Sequence, residues 1–248
     1  MSPGAQFLRA DLHIHSYGVS ADVRDSKMTV DEIVRTAQER ELDVIAIADH
    51  NAIDNVEELL GAVSTPGLTA FAAVEVTTAE GHVLVYFNPE QYEAFSQWFG
   101  RVEFKEDASG DRHTLTPIHQ LLEQVAQAGG IGIPAHIGRE GTGFLTRVQA
   151  QSEDAVITSA HLRAVEVDDA SQGAWYSPAD VGEGSSRRRE LLGRRENVLG
   201  SVAGPRLAKL LFSDAHSLDA IGRDRDGQDR VTRSVSGRGR GFGSSGLE

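Results

Sequence analysis

Short apolar runs alternate with helix-like repeats along most of the chain. The runs Ala10–His15, Val44–Ala48, Leu68–Val76, Val83–Phe87, Ile131–Ala135, Arg163–Val167 and Lys209–Ser213 read as strands. Val44-Ile45-Ala46-Ile47-Ala48 and Leu210-Leu211-Phe212 lack polar alternation, which predicts parallel strands covered on both faces. Between them, Thr29-Val30-Asp31-Glu32 is a capping-box pattern ahead of Ile33, Val34 and Ala37, with Thr29 as the N-cap. Thr116-Pro117 predicts a second helix with Pro at its first position, ended by Gly129-Gly130. Pro89–Phe99 and Ser185–Val202 also read as helical, whereas Glu103–His113 and Gly138–Ala150 read as loops. The order is that of βα units. About seven strands in roughly 230 residues suit a closed or nearly closed barrel, with an open doubly wound sheet as the competing architecture. The stretch Ser234–Glu248 (SVSGRGRGFGSSGLE) has no apolar period and reads as a flexible tail or linker, leaving residues 1–233 as one domain.

Composition narrows the class. With 40% hydrophobic and 25% charged residues in 248, disorder throughout is excluded. No apolar stretch approaches the roughly 18 residues that span a bilayer. Residues Met1–Leu8 lack the basic start and long apolar segment of a secretory signal, so a soluble, cytoplasmic protein without a membrane partner is expected. The absence of Cys excludes a disulfide framework, a thiolate nucleophile and sulfur-ligated metal. The net charge is −13, unevenly spread: residues 1–186 carry 11 basic and 29 acidic groups, residues 187–248 carry 13 and 8. So acidic a body argues against a broad, non-specific nucleic-acid surface. Arg187, Arg188, Arg189, Arg194 and Arg195 lie on one predicted helix, as a solvated face or a polyanion contact. No Gly-x-x-x-x-Gly-Lys-[Ser/Thr] loop occurs, so the chain is not itself a P-loop ATPase.

The nine His residues carry the chemistry. In Asp11-Leu12-His13-Ile14-His15-Ser16, residues two apart on a strand point to one side, so His13 and His15 present paired imidazoles while Ile14 packs away. Such a pair is weak by itself. It gains weight because the pattern recurs at strand ends: Asp49-His50-Asn51, Glu75, His82 after the turn at Glu80-Gly81, Pro134-Ala135-His136, and Asp214-Ala215-His216. Parallel βα strands bring their C-terminal ends to one rim, which predicts convergence. Imidazoles and carboxylates gathered without Lys call for divalent cations, and nitrogen and oxygen donors without sulfur suit Zn, Mn or Fe. Arg139, on a Gly-bearing loop after His136, is a candidate phosphate contact or a surface Arg. Glu166, within the apolar Ala164–Val167, is predicted to point inward. His119 reads as structural, His113 and His161 as surface residues, and Trp98 and Phe99 as core anchors.

The succession HIHS, ADHN, a strand Glu followed by GH, PAH and SDAH resembles the PHP (polymerase and histidinol phosphatase) superfamily, from about Arg9 to Arg233. The resemblance implies an α/β fold, a distorted (β/α)7 barrel holding up to three divalent metal ions. It implies His13, His15, Glu75 and Asp214 on a first ion, with Glu75 shared with His82 and His136 on a second, and Asp22, His50 and His216 on a third. Asp25 competes with Asp22 in the same loop, where the family's usual Asp-Gly context is absent. Asp49 is expected to orient a ligand imidazole from behind. The implied activity is hydrolysis of phosphate esters by a metal-activated hydroxide, with His216 or Asp214 protonating the leaving alcohol and Arg139 offsetting charge on the phosphoryl oxygens. The substrate would be a nucleotide, a small phosphorylated metabolite or a nucleic-acid end. SDAHSLDAIG and the following VTR resemble PHP domains fused to SMC- or AAA-type ATPases, so an ATPase partner or fused domain is a further expectation. The competing readings are a non-catalytic, metal-binding regulatory module of such an ATPase, and an amidohydrolase built on a carboxylated Lys. Lys27, Lys105 and Lys209 sit in loops or at a strand start, against the second.

Overall fold

The computed structural model describes residues 7–63, 67–108, 110–200, 206–224 and 226–235. In chain order its main elements are β1 (Phe7–Ile14), α1 (Val30–Glu39), β2 (Val44–Ile47), α2 (Val56–Ala62), β3 (Thr69–Ala70), β4 (Ala72–Thr78), β5 (Gly81–Phe87), α3 (Tyr92–Phe99), β6 (Phe104–Glu106), β7 (Arg112–Thr114), α4 (Ile118–Gln127), β8 (Ile131–Pro134), α5 (Phe144–Arg147), α6 (Ala150–Ile157), β9 (Ala164–Glu166), α7 (Ser185–Leu199), β10 (Ala208–Leu210) and β11 (Thr232–Val235). The α/β class holds. Among the described residues the strands form separate hydrogen-bonded sheets of four, five and two strands, with no closed barrel. Two compact units result: Met1–Val74 with Tyr86–Gln97 and Phe212–Glu248, and Glu75–Val85 with Trp98–Leu211. No described helix is long and apolar enough to cross a membrane.

In the first unit the sheet runs β11-β1-β2-β3. β1 and β2 are parallel, pairing Ala10 with Val44 and Asp11 with Ile45, then Ile14 with Ile47. β1 thus fits one extra residue into the stretch holding Leu12 and His13, a bulge that re-aims side chains at the strand end. Ile14, Ile33, Ala37, Ile45, Ile47 and Ala215 are buried together, so the 3.6-residue repeat of α1 meets the apolar strands as its sequence requires. Thr29 caps α1 by accepting the Glu32 N–H, while Glu32 itself pairs with Arg35 rather than closing the reciprocal box. The apolar run from Leu68 is not one strand: it divides at Phe71 into β3 and β4. β11 pairs antiparallel with β1 through Val235, two residues into the expected tail; residues 236–248 lie outside the described residues.

The second unit is built on the sheet β6-β7-β4-β5-β8 and the parallel pair β9-β10. The segment expected as a loop at Glu103–His113 contains the antiparallel hairpin of β6 and β7, whose polar residues hide a strand in a hydropathy reading. Pro117 is the N-cap of α4, not its first residue, with ψ 148° matching the extended backbone a cap adopts. The arginines of α7 are structural. Arg188 makes two 2.8 Å bonds to the buried Asp180 carboxylate and lies 4.3 Å over the Trp175 ring. Arg195, fully buried, donates to the carbonyls of Ile157, Ser159 and Leu162. Arg187 pairs with Glu153, Arg189 with the Asp180 carbonyl, and Arg194 with Asp154 and Glu190. α7 therefore spends its charge on intramolecular partners, and the polyanion reading of this run loses its basis.

Burial alone would raise the Asp180 carboxyl, but the Arg188 hydrogen bonds and charge, with the Tyr176 N–H, hold it below the usual carboxylate range. The stability this pair contributes is complete above the unfolded carboxyl's value of about 4 and is lost as pH falls through the lowered folded-state value. Asp180→Asn is expected to cost about 3 kcal/mol in urea unfolding at neutral pH. The difference from wild type should shrink steadily below about pH 4; a difference that does not depend on pH would contradict the assignment.

Candidate functional site

In the first unit the end of β1 meets the segment after β10. The His15 N–H donates to the Ala215 carbonyl at 2.9 Å, the Ala215 N–H donates to the His13 carbonyl at 3.1 Å, and Ile14 and Ala215 form a parallel bridge. Ala215 is buried, so its neighbours Asp214 and His216 turn the other way, toward the imidazoles. Asp214 Oδ1 lies 3.4 Å from His13 Nε2 and 3.1 Å from His15 Nε2, both rings being fully buried. His15 also stacks on His50 at 4.5 Å and meets His216 at 4.4 Å between ring centroids. Asp22 completes this cluster, its Oδ2 2.9 Å from His216 Nε2 and 3.3 Å from His50 Nε2. Asp25, its competitor, instead accepts the N–H groups of Lys27 and Leu218.

The donor groups His13–His15–Asp214 and His15–His50–His216 each bring one ligand atom per residue within 4.8 Å of the others. Such sets of imidazole and carboxylate donors fit a divalent cation. Burial would raise the Asp22 carboxyl, yet hydrogen bonds and charge from His216 and His50 hold it far below the carboxylate range. Burial would lower His216, and its bond to Asp22 with the Asp214 charge raises it.

Two carboxylates behind the cluster hold it in place. Asp49 accepts the Ser16 N–H at 2.7 Å, the Ser16 hydroxyl and the Ser20 hydroxyl at 2.7 Å, so it reaches the His15 ring from behind through Ser20. Asp11, fully buried, accepts the Ser213 N–H, the Ser213 hydroxyl and the Gly222 N–H, fastening the segment that carries Asp214 and His216. Burial pushes the Asp11 carboxyl up to about 6 against those bonds. Tyr86 donates its hydroxyl to the Leu12 carbonyl at 2.9 Å, next to His13.

In the second unit, Glu75 Oε1 lies 2.9 Å from His82 Nδ1 and 3.1 Å from His136 Nε2, with Glu75 fully buried. Glu166 points inward as its apolar strand predicts, and accepts the His136 N–H at 2.8 Å. Arg139 is paired with Asp168 at 3.3 Å, and Asp168 also accepts the Gly138 N–H. Left-handed backbone occurs at or beside several candidate residues, with φ 50° at Asn51, 27° at His136 and 53° at Asp214, as it also does at Glu41 and Tyr176. Gly143 is held to glycine for a different reason, since a Cβ there would stand 2.6 Å from the carbonyl oxygens of Arg139 and His136. Sequence reading missed Ser20, Asp11 and Asp168 as supporting residues. A carboxylate inside the apolar run of β1 is a usable signal for Asp11, and Asp168 stands at the end of the apolar Ala164–Val167; Ser20 gives none.

A family model described as the PHP domain matches residues 11–192. A search of curated protein sequences finds no match. Among solved structures, the chain is similar to a lesion-specific endonuclease from Pyrococcus furiosus, with TM-score 0.57 and 18% identity over 88% of this chain and 51% of that one. It is similar to an endonuclease Q in complex with a 27-mer duplex bearing an abasic lesion, with TM-score 0.61 and 18% identity over 88% and 52%. It is also similar to a protein from Bifidobacterium adolescentis assigned as a metal-dependent phosphoesterase, with TM-score 0.53 and 19% identity over 84% and 87%. The chain spans about half the length of the two endonucleases. At these identities the likenesses establish the fold.

Asp11→Ala removes the acceptor of three donors and is expected to cost about 3 kcal/mol in urea unfolding, against about 1 kcal/mol for Ser213→Ala, which loses one of those bonds. Equal costs would show that Asp11 does not fasten the Asp214 segment.

Proposed function

The chain belongs to the PHP domain family, and from that premise we propose that it is a metal-dependent phosphoester hydrolase. The observation that carries the reading is the meeting of Asp214 Oδ1 with the Nε2 atoms of two fully buried imidazoles, His13 and His15. A buried carboxylate and two imidazoles converging on one point form a donor set that a divalent cation would join. We assign one ion to His13, His15 and Asp214, one to Asp22, His50 and His216, and one to Glu75, His82 and His136. The set suits Zn, Mn or Fe.

Bound divalent ions supply a water whose pKa is lowered toward neutrality and charge to offset that on the phosphoryl group. The protein's residues do the rest. His13 and His15 would fix the ligand geometry from the bulged end of β1, and Asp214 from the segment bridged to it. His216 has its Nδ1–H on the Asp214 carbonyl at 2.9 Å, which would leave Nε2 for the cation, so the Asp214 carboxyl is the candidate for passing a proton to the leaving oxygen. Arg139 binds non-bridging phosphate oxygens, steadied by Asp168.

For the substrate we propose a nucleotide, a small phosphorylated metabolite or a nucleic-acid end. The arginines of α7 have intramolecular partners, and residues 1–186 are strongly acidic, both of which weigh against gripping a long polyanion. The full set of acidic and imidazole residues favours catalysis over a regulatory module that only binds metal.

The test is turnover of a nitrophenyl phosphomonoester and a bis-nitrophenyl phosphodiester with Mn or Zn, alongside elemental analysis. Activity is expected to vanish on chelation and return with metal, and His13→Ala or Asp214→Ala should each lower it by about 100-fold or more while lowering metal content. Unchanged turnover in the stripped protein would overturn the mechanism. The ratio of monoester to diester turnover separates phosphatase from nuclease-type action.

A further inference from the structure

We infer that Ser20 is a positioning residue that fixes which nitrogen His15 offers to a cation; the inference rests on the proposed reading of His13, His15 and Asp214 as ligands. The protons and lone pairs around Ser20 Oγ leave one arrangement. Ser20 Oγ, in a residue only 2% exposed, has three partners: Asp49 Oδ1 at 2.7 Å, the His50 N–H at 3.2 Å and His15 Nδ1 at 3.1 Å. A hydroxyl has one proton to give and two lone pairs to receive with. The backbone N–H of His50 only donates, so it takes one lone pair. The Asp49 carboxylate only accepts, so it takes the proton. One lone pair remains, and His15 Nδ1 fills it as an N–H donor.

The far end of the chain of bonds enforces the same direction. Asn55 Nδ2 donates to Ser16 Oγ at 2.8 Å, and the Ser16 hydroxyl in turn donates to Asp49 Oδ2. Asp49 also accepts the Ser16 N–H. Every donor around Asp49 thus points at it, and its role as a pure acceptor leaves Ser20 no other orientation. The neutral His15 ring then carries its proton on Nδ1 and its lone pair on Nε2, the nitrogen 3.1 Å from Asp214 Oδ1. Two acceptors face each other there, the arrangement that a cation joins and a hydrogen bond from a neutral ring does not. The same hydroxyl holds the main chain of His50. One residue thereby sets the ring state of one ligand and the backbone position of another.

The test uses the full chain labelled with 15N-histidine, metal-stripped at about pH 9, where a free imidazole is neutral. Long-range 1H–15N spectra should show His15 solely as the Nδ1–H tautomer. In Ser20→Ala the Nε2–H tautomer should appear, and zinc affinity of the His13–His15–Asp214 site, read by chelator competition, should fall about 10- to 100-fold. Ser20→Thr should restore both, which a merely structural loss would not follow. Overturning results are an Nε2–H tautomer in the wild type, or a Ser20→Ala protein whose tautomer and zinc affinity are unchanged. If Ser20→Ala does not fold, the wild-type and Ser20→Thr spectra decide. A wild-type protein that shows Nδ1–H but binds no zinc would refute the metal reading while leaving the Ser20 assignment standing.

Discussion

Two backbone hydrogen bonds, His15 N–H to Ala215 and Ala215 N–H to His13, join segments about two hundred residues apart, and the larger cluster depends on them. Strand geometry does the remaining work. With Ala215 buried against Ile14, the alternation of side chains turns Asp214 and His216 toward the same side as His13 and His15. Asp11 reinforces the join from within the same strand by holding Ser213 and Gly222. A residue two places before the first imidazole therefore fixes where the last two ligand candidates stand.

What this join creates is electrostatically uncomfortable in isolation. The Asp214 carboxylate is brought to about 3 Å from the buried His15 Nε2, where water moderates their interaction little. At the more exposed edge of the cluster, Asp22 and His216 are each driven toward the charged form by the other. Positive φ at Asn51, His136 and Asp214 shows that the backbone is also held away from its easy conformations at these turns. Unusual backbone and paired charge thus lie close together in the candidate residues, an arrangement that suits a cation site.

Much of this was legible in the chain. Apolar runs gave the strands because buried parallel strands cannot hide their composition, and the acidic and imidazole residues stood out by recurring at the run ends. Thr29 was found through a local bond that needs no tertiary context. The hairpin at Phe104–Thr114 was missed because its exposed residues carry no apolar period. The choice of Asp22 over Asp25 as the partner of His50 and His216 depends on loop geometry that spacing alone does not set. The arginines of α7 read as a solvated face or a polyanion contact because their partners, such as Asp180 and the carbonyls of Ile157 and Leu162, lie elsewhere in sequence.

The central claim is that these residues hold divalent cations directly, and X-ray absorption spectroscopy of the zinc-loaded chain addresses it without reference to any substrate. The account predicts nitrogen and oxygen neighbours at about 2.0–2.1 Å with the multiple-scattering pattern of several imidazoles per zinc. A zinc surrounded only by water oxygens, with no imidazole signature, would contradict it.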